Sequence, residues 1–168
     1  DFGDYVSGST WNGIPYGPEL ITNGDFSNGT TGWVEQGDMS ITASAGVATV
    51  VRAASGFLVI NTTPTIAGKD YVVSVECKTS TATALLQVYT AYPSGSVLAD
   101  TFTASTSYVT LTLAFTATTS TTAIGIGCGA GGDKTSFFRN VSVKEAQVFT
   151  LVGNASIFQP PVDESGPF

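Results

Sequence analysis

A chain of 168 residues, 42% hydrophobic and only 11% charged, holds enough apolar matter for one packed domain and lacks the high charge of a disordered one. Its net charge of −7 includes only six Lys and Arg, which form no run, and this argues against a phosphate backbone as partner. There is no His, which excludes His-based triads and the commonest metal ligand, and no apolar run approaches the roughly 20 residues needed to insert into a bilayer.

The polar surface must therefore come from Thr, Ser, Asn and Gly, and Thr suits a strand because its branched Cβ packs on the pleat. Residues 1–19 mix Gly, Pro and aromatics with no sustained period and read as an extended N-terminal arm. Tyr5, Trp11 and Tyr16 on that arm are rings in need of a covering surface. The chain starts at Asp1, which leaves room for a preceding leader or domain.

From Leu20 onward, turn chemistry (NGD at 23–25, SNG at 27–29) alternates with short β-rich runs at 39–43, 46–53 and 57–61. The segment 70–78, DYVVSVECK, places Tyr71, Val73, Val75 and Cys77 on one face and Val72, Ser74, Glu76 and Lys78 on the other. Residues 84–92 follow, then 108–116, where Val109, Leu111, Leu113 and Phe115 oppose Thr110, Thr112 and Ala114. Runs at 123–128 and 137–144 close the pattern, the last anchored by Phe138, Val141 and Val143. No window shows helical spacing, so many short strands predict an all-β, antiparallel sandwich of the jelly-roll kind over residues 20–147. Residues 148–168, with Pro160 and Pro161, read as an extended C-terminal arm carrying Phe149, Phe158 and Phe168. Cys77 and Cys128 have no metal spacing and read as buried free thiols, with a pair between them as the alternative.

Four fragments in order carry a family resemblance: ELITNGDFSNGTTGW at 19–33, AGKDYVVSVECK at 67–78, AFTATTSTTAIGIG at 114–127 and FFRNVSVKE at 137–145. Together they resemble the carbohydrate-binding modules appended to xylanases and cellulases, whose opening motif also occurs in bacteriophage tail and fibre proteins. The resemblance implies a jelly roll without catalytic activity that binds polysaccharide on a sheet face or at an edge. It also implies a structural calcium, held by an acid near the opening strand and an Asp before the closing one. Ser27 and Arg139 stand at those places here, and Arg cannot ligate a cation, so the expectation is no cofactor, with Asp25 the acid left for a weaker site.

Phe26 and Trp33 read as plugs at one end of the sandwich. Sugar contact needs an aromatic face flanked by hydrogen-bonding side chains, and Glu76, Gln87, Tyr89 and Tyr92 are the candidates, taken as neighbours on consecutive strands. The acids Asp25, Glu35, Asp38, Asp70, Glu76 and Asp133 form no recognisable catalytic pair, and no nucleophile elbow, phosphate loop or zinc motif occurs, so the chain is read as no enzyme. The Gly cluster from Gly125 to Gly132 precedes a strand rather than a helix and reads as strand and turn. The resulting expectation is a virion or extracellular subunit of capsid-decoration or tail-fibre type. It docks other assembly subunits through its arms, presents the sandwich to glycans, and leaves homo-oligomerisation open. The alternative is a polysaccharide-binding module of a secreted enzyme or cell-surface protein.

Overall fold

The computed structural model describes residues 10–11, 14–54, 58–80, 83–91, 95–129 and 134–146. The described residues form β1 (Thr10–Trp11), β2 (Ile14–Glu19), β3 (Val34–Glu35), β4 (Met39–Ser44), β5 (Val47–Arg52), β6 (Leu58–Pro64), β7 (Asp70–Thr79), β8 (Ala84–Tyr89), β9 (Val97–Thr103), β10 (Val109–Thr116), β11 (Thr121–Cys128) and β12 (Lys134–Ala146). They build two antiparallel sheets packed face to face. One sheet runs β3-β6-β11-β8-β9. The other centres on the long β12, which pairs with β7 on one side, β7 in turn pairing with β10. On its other side β12 pairs with β5 through Lys134 to Phe138, and with β2 through Lys144 and Ala146. No helix among the described residues is long and apolar enough to cross a membrane.

The alternation read from the sequence sets the interior. Tyr71, Val73, Val75 and Cys77 of β7 are buried against Leu86 and Val88 of β8 and Ile124, Ile126 and Cys128 of β11. Phe138, Val141 and Val143 also point inward, although 138 and 141 differ in parity. The phase change comes from a bulge: between Arg139 and Ser142 the register against β7 slips, and Asn140 sits at φ 52°. Asn is one of the few residues that adopt this left-handed region readily.

Both cysteines are free and buried, as expected. Burial pushes the Cys77 thiol up to about 11, and the Cys128 thiol donates to the Val50 carbonyl at 3.5 Å. Phe26 and Trp33 are buried with ring centroids 5.3 Å apart, and the indole N–H donates to the Asn23 carbonyl. They close one end of the core.

Two departures from the expected arm and strands concern β2 and β9. Residues 14–19 are not an irregular arm but a strand joined to β12, despite Pro15 and Pro18. Its pairs with β12 run through Glu19 and Tyr16, which on that side makes few demands on the N–H groups that proline lacks. The strand β9 pairs with β8 along the sheet edge, where half-exposed residues blur the apolar alternation. The remaining arm residues Tyr5, Phe149, Phe158 and Phe168 lie outside the described residues, and Trp11 is described only as part of β1.

Candidate functional site

The outward face of the sheet built on β12 is polar. Across it, Thr110, Glu76 and Arg139 form one row, and Thr112, Ser74 and Ser142 the next. Together with Tyr16 from β2, Val72 and Lys144, the hydroxyls of Ser74, Thr110, Thr112 and Ser142 line a groove of about 300 Å³. Partial burial pushes the Tyr16 phenol up, so it is a protonated donor and acceptor at neutral pH.

Beyond the groove, charge and aromatic rings interlock. The Arg139 guanidinium lies 4.0 Å from the Tyr108 ring centroid, and the Lys78 ammonium sits 4.9 Å from Tyr108 and 5.3 Å from Phe137. Arg139 donates twice to Glu76 Oε2, through Nε at 2.9 Å and Nη2 at 2.7 Å, while Asn140 Nδ2 donates to Oε1 at 2.8 Å. These bonds, Asn140 first and Arg139 second, hold the Glu76 carboxyl below its usual range. Glu76 is therefore an anchor that fixes Arg139 over Tyr108, and both of its oxygens are engaged.

A second groove of about 380 Å³ lies between the opening loop and the bulge, lined in part by Glu19, Asn23, Asp25 and Asn140. It is the place where the resemblance would put calcium, and its donors do not fit a hard cation. Glu19 Oε1 accepts the N–H groups of Leu20, Ile21 and Val143, and its Oε2 accepts the Ser142 hydroxyl. Asp25 Oδ1 accepts both the N–H and the hydroxyl of Ser27, which hold its carboxyl low. Among the described residues no three His, Cys, Asp or Glu gather around one point. Gly24 completes the stitch: its carbonyl accepts the Val141 N–H, and a Cβ there would lie 2.0 Å from the Val141 carbonyl oxygen. Glu19, unnoticed in the sequence because a lone acid before a turn carries no signal, ties the opening strand to the closing one.

The neighbourhood expected for Glu76, Gln87 and Tyr89 does not form. The strands β7 and β8 follow each other in the chain but belong to different sheets, and their outward residues face opposite sides of the molecule. Gln87 and Tyr89 do meet each other, the Tyr89 hydroxyl donating to Gln87 Oε1 at 3.0 Å. Tyr92 lies outside the described residues. The groove residues Tyr16, Thr110, Thr112, Ser142 and Lys144 were not among the sugar-contact candidates. Strict alternation in β10 carried a signal for its outward threonines, but nothing in the sequence joined them to Tyr16.

No family model and no curated protein matches the chain. Solved structures do. A family 4 carbohydrate-binding module aligns over 74% of this chain and 99% of its own, at 18% identity and a TM-score of 0.63. The CBM22-1 xylan-binding domain of Paenibacillus barcinonensis Xyn10C aligns over 81% and 97%, at 11% identity and a TM-score of 0.57. The enzymatically active domain of bacteriophage CBA120 tailspike protein 4 aligns over 76% of this chain and 21% of its own, at 12% identity and a TM-score of 0.51. The fold is thus the jelly roll of carbohydrate-binding modules.

Proposed function

We propose that this chain is a non-catalytic, glycan-binding module whose contact surface is the groove on the β12-centred sheet. The observation that carries this reading is the convergence of four aliphatic hydroxyls, one ammonium and the Tyr16 ring in a single groove. Sugar sites pair an apolar surface with a few polar groups that fix orientation, and Tyr16 with Val72 supplies the first while the hydroxyls supply the second. Catalysis is not part of the reading, because hydrolysis needs one carboxyl as acid and another as nucleophile or base. The two acids that border the groove, Glu76 and Glu19, have both oxygens committed to holding the sheet together.

Within that class we place the chain in a virion or at a cell exterior, as a structural or adhesion subunit of capsid-decoration or tail-fibre type. The likeness to a tailspike domain and the opening motif at 19–33 support this setting. An enzyme-appended module is the second reading, favoured by the nearly complete coverage of the two carbohydrate-binding modules.

A glycan array followed by calorimetry on the full chain tests the site. Tyr16→Ala is expected to weaken the best ligand at least tenfold, about 1.4 kcal/mol, while Tyr89→Ala on the opposite face leaves it unchanged. A flat array from folded protein removes the function, and loss on Tyr89→Ala alone moves the site to the other sheet. For the setting, full-length protein is expected to rebind particles stripped of it. Failure to do so while remaining monomeric leaves the enzyme-appended reading.

A further inference from the structure

Among the described residues that line the groove on the β12-centred sheet, Lys144 alone carries a charge. The strand register places it. Along the outward face Lys144 stands opposite Val72, and Ser142 opposite Ser74, with Thr112 continuing that second row on β10. The hydroxyl rows therefore begin one strand repeat from Lys144, about 7 Å along β7.

Lys144 differs from the other cations in having no partner among the described residues. Arg52 donates to the Gly129 carbonyl at 2.8 Å, and Lys69 bridges Glu145 at 3.1 Å. Lys78 lies over the Tyr108 and Phe137 rings, Arg139 is held by Glu76, and Lys134 has a partner as well. The Lys144 ammonium makes no ion pair, hydrogen bond or ring contact among the described residues. The acids beside it are engaged elsewhere. Glu19, its register partner on β2, accepts three backbone N–H groups and the Ser142 hydroxyl, and Glu145, the next residue, is turned to Lys69.

The rest of the lining has the same bias toward donors. The hydroxyls of Tyr16, Ser74, Thr110 and Thr112 make no hydrogen bond among the described residues, so each has a proton to give. No carboxylate lines the groove among those residues. An ammonium ringed by hydroxyl donors complements a group that only accepts, and an anion is such a group. The net charge of −7 does not oppose this at contact, because exposed charges beyond about 8 Å are largely screened at physiological salt.

We propose that the groove takes an acidic glycan. The anionic substituent of one sugar, a uronate carboxylate or a sulfate ester, is bound by Lys144 with the hydroxyls of Ser74 and Thr112, and the sugar ring lies against Tyr16 and Val72. The proposal rests on the glycan-binding reading and narrows its ligand class.

An array that sets each acidic glycan beside its neutral counterpart tests it on the full chain, with uronates paired to their methyl esters and sulfated galactans to their desulfated forms. Calorimetry then measures the best pair. The acidic member is expected to bind at least about tenfold tighter than the neutral one. Lys144→Gln is expected to shrink that ratio to within about twofold, and Lys144→Arg to keep most of it. The arm that binds, uronate or sulfate, identifies the substituent. Equal binding of neutral and acidic members, lost on Tyr16→Ala, overturns the proposal and leaves the glycan reading standing. An acidic preference that survives Lys144→Gln also overturns it, because another part of the chain then reads the charge. Folded protein that binds neither member of any pair removes both readings.

Discussion

Glu76 shows how a residue chosen for one role is held to another. An acid on an outward strand position suggests a sugar contact or a solvated face, and the sequence cannot distinguish either from an ion pair, because the partners Arg139 and Asn140 are more than sixty residues away. The Arg139 that displaces the expected calcium ligand is the residue that occupies Glu76. The pair is partly exposed, so its worth is limited by solvent screening, and its signature is its pH dependence. A carboxyl whose folded value lies below its unfolded one contributes stability that is fully present above the unfolded value, near pH 4.3. That stability disappears as the pH falls through the folded value. Urea unfolding of the parent and Glu76→Gln is therefore expected to show the parent more stable at pH 7, with the two converging as the carboxyl protonates in acid. A gap that stays constant throughout the acid limb would mean that Glu76 acts through packing alone.

At the scale of elements, strands with a strict apolar alternation were legible and those without it were not. The runs at 70–78 and 108–116 match the central β7 and the edge strand β10, because in both the residues that face the core alternate strictly with those that do not. The edge strand β9 leaves most of its residues half-exposed and β2 carries two prolines, so neither announces itself. The bulge in β12 was half legible: Phe138, Val141 and Val143 have spacing that no regular strand can place on one face, and the Asn between them supplies the left-handed residue. Asn140 does two things, holding φ at 52° and donating to Glu76, and two substitutions separate them. Asn140→Gly keeps the backbone and loses the bond, so it is expected to cost under about 1 kcal/mol. Asn140→Val adds the cost of a β-branched residue in the left-handed region, about 1–2 kcal/mol more. Equal losses in thermal unfolding would show that the bulge is not set by this residue.

For the whole molecule, the topology decides which faces exist. Consecutive strands are neighbours about two-thirds of the time, which made Glu76 and Gln87 plausible companions, yet the chain crosses between sheets from β7 to β8. That crossing separates a hydroxyl-lined face from a largely apolar one, with the core of Val73, Val75, Leu86 and Ile124 between them. Two surfaces separated by a packed core and sharing no side chain should act independently, since distant substitutions add to within about 0.5 kcal/mol. Gly125→Ala drives a methyl into Leu58 and Ile60 and is expected to cost about 1–3 kcal/mol as overpacking, while glycan affinity stays at the parent value. Tyr16→Ala is expected to do the reverse, removing affinity with little loss of stability. The double variant should then unfold at the sum of the two stability changes and bind like Tyr16→Ala alone. Coupling well above 0.5 kcal/mol, or a Gly125→Ala protein that binds glycan weakly, would mean that the two sheets transmit strain and that the faces are one site in energetic terms.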